Sequence, residues 1–385
     1  MTVCEATPTL WKGRRGYRLS NNLIHLTVLL GGGHLADFRF CGSPHNVLFE
    51  SPWSTIEPFA YAPEAHSRAY GEGPVGKFLS GFTGHALVLG YFGMPSPAEA
   101  ARGLPLHGEA ACAEWQVLSS AADEAGARLS LEVLLPVYRL RLQRNLYLSI
   151  GASSILVEEH LTNQNSTDLD YQWVEHATFG EPFFAGPNAQ LFLSANLGRT
   201  WPEGYEGKEL LIPDCDFNWP RAPTPDGTLV DLSKPFVGSG TGFVAALLTQ
   251  RELPHGTVAV ENPRLGLAAG YVFDHQHFPW IALWEENLAR IGVPWSGKTR
   301  ARGVEFGTSP MPTGRQHALR TGILFDTPTF ATLAARQTVS TCYQLFLTAT
   351  PAGWSRLTDL EATSADLRLH DTRGQHLQIP VSRKP

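Results

Sequence analysis

The chain has 385 residues, is 43% hydrophobic and only 17% charged, and carries a formal net charge of −6. No basic run or Lys/Arg stripe is present, which argues against nucleic acid as a partner, and no stretch approaches the ~18 uninterrupted apolar residues of a membrane span. The 37 Gly and 28 Pro are scattered rather than clustered, which suits many short strands joined by turns and argues against disorder.

Five cysteines, Cys4, Cys41, Cys112, Cys215 and Cys342, are far apart and odd in number. This disfavours a disulfide framework or a zinc ribbon and fits a reducing compartment. The first residues show neither a basic n-region nor an apolar h-region, so a cytoplasmic location is expected.

In chain order, Asn22–Leu30 and His34–Phe40 read as strands turned by Gly31-Gly32-Gly33. From Ser51 to Gly103 Pro, Gly, His and aromatic residues dominate, and we expect an irregular loop system over one end of the fold, with one helical turn near Pro97–Arg102. Strands resume at Ala113–Leu118, Ala127–Leu135 and Val137–Leu148. In the last of these, Leu140 and Leu142 alternate with Arg139 and Arg141, the period of a half-solvated strand. A hairpin follows over Ile155–Trp173, turning at Asn163–Asp168. Residues 185–240 are again irregular.

Further strands are expected at Gly242–Thr249, Thr257–Glu261, Leu265–Phe273, Pro279–Glu285, Gln337–Thr348 and Gln375–Val381, with a short helix at Thr329–Arg336. The strand count and the lack of α/β alternation predict an all-β fold, a large antiparallel β-sandwich, in one domain spanning 1–385.

Three segments place a titratable group beside Gly or Pro at a strand end: His107 in LPLHGEA, His176 in VEHATFGEPFF and Glu305 in RGVEFGTSPMP. Two imidazoles and a carboxylate can do acid/base work near neutral pH. Alternation of Val304 and Phe306 around Glu305 puts the carboxylate alone on one strand face. His275-Gln276-His277 puts two imidazoles on one strand face but offers no third ligand nearby, so no metal is expected. No Gly-x-Ser-x-Gly elbow supports a nucleophilic serine.

His107-Gly108 followed by Trp115, then His176 with Phe179, then Glu305 before Thr308-Ser309-Pro310 resembles, in this order, the aldose 1-epimerase (galactose mutarotase) superfamily over roughly residues 20–350. The resemblance implies a β-sandwich with a sugar site on a concave sheet and no cofactor. It also implies roles: Glu305 takes the anomeric proton, His176 protonates the ring oxygen from the opposite side of the O5–C1 unit, and His107 steadies developing charge. Two departures concern recognition. The family's sugar-binding aspartate has no counterpart at Gly240-Thr241-Gly242-Phe243, so Asp274, His275 or His277 are the substitutes to consider. Arg68 is the nearest match to the family's early arginine. Trp284 is a candidate sugar platform. The partner is then a small-molecule sugar, with the protein a monomer or homodimer. The alternatives are a non-catalytic carbohydrate binder and a lyase or glycosidase on the same scaffold.

Overall fold

The computed structural model describes residues 4–384. Two large antiparallel sheets face one another, one of 14 strands and one of eight. The fold is the expected all-β sandwich. In the larger sheet the strands at its centre run in the order His85–Gly90, Leu169–Gly180, Arg300–Gly307, Trp280–Asn287, Thr241–Thr249 and Ala195–Thr200. The facing sheet is centred on Leu267–Phe273, Thr338–Ala349 and Ser154–Asn163. Between them lies one apolar core that includes Leu87, Leu89, Trp173, Ala177, Leu283, Val304, Phe306 and Tyr343.

Alternation decides what each sheet face carries, because successive side chains on a strand point to opposite sides. On Leu169–Gly180, Trp173, Glu175 and Ala177 point to the inter-sheet core, and Val174, His176 and Thr178 point away from it. On Arg300–Gly307, Val304 and Phe306 join the core, while Gly303 and Glu305 take the outer face.

The inter-sheet side also holds a buried polar cluster. The Glu175 carboxylate accepts hydrogen bonds from Trp173 Nε1 (2.8 Å) and Tyr343 Oη (3.2 Å), meets His85 Nε2 at 2.8 Å, and lies 3.4 Å from Arg144 Nη2. Arg144 also donates to Glu159 (2.6 Å) and to the Gly33 carbonyl (2.9 Å). Arg144 falls in phase with Leu140 and Leu142 on the core face of its strand and is fully buried, its guanidinium lying over the Trp115 ring.

Several elements differ from the sequence expectation. The stretch 51–103 is ordered: it contains the helices Pro63–Tyr70 and Gly73–Gly81 and the strand His85–Gly90, which sits in the middle of the larger sheet. That strand is buried on both faces, so its HALVLG run shows no alternation to read. The second of these helices, GPVGKFLSG, holds three Gly, a poor helix former that packing keeps in place, while each helix carries its one Pro in the first turn, where it is tolerated. Residues 185–240 contribute five short strands: four extend one edge of the larger sheet, and Gln190–Leu193 pairs with Gly256–Asn262 at the edge of the eight-stranded one. Thr329–Arg336 is not helical. Ala331–Leu333 is a strand pairing with Leu169–Tyr171, and the local helix is Arg315–Thr321. An N-terminal hairpin, Glu5–Trp11 with Arg14–Ser20, was not expected either. Near the C-terminus, three strands between Leu357 and Pro380 form a small sheet. Its Trp354, Leu360, Leu369 and Ile379 pack on Ala259, Ala268, Val272 and Phe346, on the outer face of the eight-stranded sheet.

Among the described residues no helix is long and apolar enough to cross a membrane.

Candidate active site

The outer face of the larger sheet floors a cavity of about 510 Å³. The register that pairs Val174 with Gly307 and Thr178 with Gly303 sets His176 directly opposite Glu305. The next strand pairs Ala282 with Glu305 and Trp284 with Gly303. One cross-strand row therefore reads His176, Glu305, Ala282, and the next reads Thr178, Gly303, Trp284. Small residues flank the carboxylate and leave it open to the cavity. Gly303 is required: a Cβ there would lie 2.4 Å from Glu305 Oε1 and 3.1 Å from Trp284 Cε3.

His176 Nε2 and Glu305 Oε1 are 3.2 Å apart. The residues are 5% and 2% exposed. Burial pushes the Glu305 carboxyl well above the usual carboxylate range and lowers His176 to about 3. Both shifts disfavour the charged forms, so the pair rests neutral, with its shared proton on Glu305 and His176 Nε2 as the acceptor. His176 Nδ1 then carries the ring hydrogen, facing Thr178 Oγ1 at 3.3 Å. The resemblance implied catalytic roles for the two groups, Glu305 as base and His176 as acid, and no resting protonation state. The two groups also stand side by side rather than on opposite sides of a sugar, because adjacent strands in register bring their side chains together.

His107 reaches the same cavity from a loop. It sits at φ 67°, and its backbone N–H donates to Gly93 O (3.0 Å) while its Nδ1 accepts from Gly93 N–H (3.1 Å). That clamp fixes the ring and leaves Nε2 to carry the hydrogen. Burial and the nearby His176 hold its pKa well below the usual value, so the ring is a neutral donor. Gly108 lets this loop lie against the strand His85–Gly90: a Cβ there would come within 2.1 Å of Leu89 O, at φ 83°. The His107 and His176 ring centroids are 5.4 Å apart.

Aromatic rings enclose the histidines. Phe78, from the helix Gly73–Gly81, packs on His107 at 5.0 Å, and Phe82 meets His176 edge-on at 5.5 Å. Trp284 lies 6.2 Å from His176 and 5.9 Å from Trp295. The aromatic residues that follow His176 in sequence do not enclose it: Phe179, Phe183 and Phe184 belong to the inter-sheet core. Trp284 lines the cavity. Its indole N–H donates to Tyr205 Oη (2.9 Å), whose hydroxyl donates to Glu286 (2.8 Å). Glu286 also accepts the backbone N–H groups of Ala289 (2.6 Å) and Arg290 (2.9 Å). The Arg290 guanidinium lies over Tyr205 at 4.4 Å and bonds Glu206 at 3.1 Å.

Four candidates fall elsewhere. Arg68 is exposed on the helix Pro63–Tyr70, whose buried residue is Tyr70. The cation of the cavity is Arg290 instead. Asp274, His275 and His277 form the turn that carries the chain from one sheet to the other. There Asp274 accepts from the Gln276 backbone N–H (2.8 Å), and His277 packs edge-on against Trp173 at 5.3 Å. None of the three lines the cavity. Among the described residues, no group of three or more His, Cys, Asp or Glu is placed to hold a metal ion.

At Gly240–Phe243, where no aspartate was found, Gly242 makes room for the Tyr205 ring: a Cβ would lie 2.1 Å from Tyr205 Cε1. Trp201, Glu203, Glu206 and Arg290 were missed in the sequence. Their segments are irregular and carry no periodic signal; only their density of Trp and Glu beside Gly could have drawn notice.

No protein-family model matches the chain, and no curated protein matches its sequence. Solved structures do match its fold. A putative aldose 1-epimerase from Klebsiella pneumoniae superposes with a TM-score of 0.63 at 16% identity, covering 88% of this chain and 80% of that one. A galactose mutarotase-like protein from Clostridium acetobutylicum gives 0.59 at 11% identity, over 90% and 99%. One from Lactobacillus casei gives 0.54 at 13% identity, over 86% and 100%. The chain has the galactose mutarotase-like fold.

Proposed function

We propose that the protein is an aldose 1-epimerase-type isomerase that interconverts the α and β anomers of a sugar by opening and reclosing its ring. The observation that carries this reading is the neutral Glu305–His176 pair at the floor of the cavity, with the His107 N–H beside it. A hemiacetal has two reacting oxygens, O1 and O5, on one carbon. Two adjacent groups can therefore address both at once. Glu305 gives its proton to O5 as the C1–O5 bond breaks, and His176 Nε2 takes the proton from O1. The products are the open-chain aldehyde, a carboxylate and an imidazolium. The two charges form in contact, which limits the cost of separating them in a buried site. The His107 N–H offers a hydrogen bond to whichever oxygen carries developing charge. Rotation about C1–C2 presents the other face of the aldehyde. The proton on O5 then returns to Glu305 and that of the imidazolium to O1, and the ring closes as the other anomer.

The test is polarimetry on freshly dissolved α-D-glucose and α-D-galactose with wild-type protein and Glu305→Gln. Acceleration by the wild type that the variant lacks supports the reading. Saturable sugar binding with no acceleration would make the protein a binder instead.

A further inference from the structure

We infer that the substrate is a reducing disaccharide whose second unit occupies another cavity on the same sheet face, an inference that rests on the anomer-interconversion reading above. The cross-strand row that sets His176 beside Glu305 does not stop at Ala282. Ala282 pairs with Ala246 on the strand Thr241–Thr249, and Ala246 pairs with Arg199 on Ala195–Thr200. Neighbouring strands lie about 4.8 Å apart, so the Arg199 backbone is roughly 14 Å from that of Glu305, farther than one pyranose ring spans. The two residues between are alanines, whose short side chains keep the sheet floor low.

A second cavity, of about 220 Å³, is lined by Arg199. It meets the first at two short segments. Trp201 and Glu203 line the catalytic cavity, and Pro202 between them lines the second; Thr313 lines both. The glycosidic linkage would cross at Thr313. The second cavity holds polar groups that the fold does not use. Among the described residues, the side chains of Thr313, His317 and Thr321 enter no hydrogen bond. Asp214 is 65% exposed and has only Arg199 Nη1 nearby, at 3.9 Å. Arg199 is fixed from its other edge by Asp216, at 2.6 and 3.1 Å, and lies over the Phe325 ring. A hydroxyl both donates and accepts, so a fixed guanidinium beside a carboxylate suits adjacent hydroxyls of a sugar ring. Two aspartates balance the one arginine, which favours a neutral sugar over a phosphorylated one.

The test compares D-glucose with maltose, cellobiose, lactose and melibiose, which all end in a reducing glucose and differ in linkage and second sugar. Binding is measured by isothermal titration and anomer exchange by NMR. At least one disaccharide should bind with a Kd at least 10-fold below that of glucose and exchange with a kcat/KM at least 10-fold above it. Arg199→Ala and His317→Ala should each lower that disaccharide-to-glucose ratio at least fivefold. Exchange of glucose with no disaccharide surpassing it overturns the second site alone, as does an advantage that both variants retain in full. Tighter disaccharide binding that the variants lose, with no acceleration of any of the five sugars, overturns the isomerase reading and leaves the second site standing. No disaccharide surpassing glucose in either measurement overturns the inference whatever the rates.

Discussion

His176 Nε2 and Glu305 Oε1 meet at 3.2 Å across two adjacent antiparallel strands, on the face turned away from the core. Among the described residues neither group has another charged partner within salt-bridge distance. If the pair supplies the acid and the base, removing either should cost about 10²–10⁴-fold in rate. Glu305→Gln and His176→Gln are near-isosteric, and each should lower catalysed anomer exchange by that factor with little change in the urea midpoint. Wild-type exchange in either variant would rule out the proposed chemistry.

The rate should depend on pH in a specific way. Activity needs one proton on the pair. His176 is lowered to about 3 and Glu305 is raised well above its ordinary value, so the rate should be flat through mild acidity and fall on the alkaline side as Glu305 ionises. A rate that rises as pH passes through 6.5, as for an ordinary histidine base, would contradict the neutral pair.

Stability should depend on pH through the same burial. His85 is lowered to about 3, first by burial and then by Arg144, and His176 is lowered to a similar value. Between that value and about 6.5, the unfolded chain binds more protons at these two groups than the native one, so their contribution to stability rises with pH across that window. The stability these groups contribute is complete above 6.5 and is lost as pH falls toward 3. The raised carboxyls Glu305 and Glu159 act in the opposite sense across this window, so the prediction is differential: the urea midpoint at pH 5 relative to that at pH 7 should be higher in His85→Gln than in wild type.

Gly303→Ala tests the packing beneath the carboxylate. The added methyl must displace Glu305 Oε1 or the Trp284 ring. Overpacking of this kind costs about 1–3 kcal/mol. Exchange should fall at least about 10-fold, because displacement by an ångström disturbs a positioned group. Stability unchanged to within measurement and full activity together would show that the crowding is relieved without cost.

Glu175 adjoins His176 in sequence but points to the opposite face. Glu175→Gln leaves Arg144 and His85 facing a neutral amide in a site closed to water. Breaking a buried ion pair costs about 3–5 kcal/mol, and the result should appear as a lower urea midpoint. Exchange per folded molecule should stay within a few-fold of wild type. Equal stability of the variant would mean that Arg144–Glu159 alone satisfies the cluster.

The sequence by itself determined the sandwich and the order of its chemistry. Strand alternation and Gly/Pro punctuation are local signals, and the side-chain period of two puts His176 and Glu305 on definite faces of definite strands. Their adjacency was decided by register, which joins residues more than a hundred positions apart and has no local signature. Burial then pushed the pair toward its neutral form, a shift that the linear sequence does not carry. Tertiary packing also left Arg68 on the surface and Asp274, His275 and His277 in a crossover turn. It supplied in their place Trp201, Glu206 and Arg290 from irregular segments. Pairing two strands is a long-range event that fixes which side chains meet and how much water they keep, and those two quantities set the chemistry of this cavity.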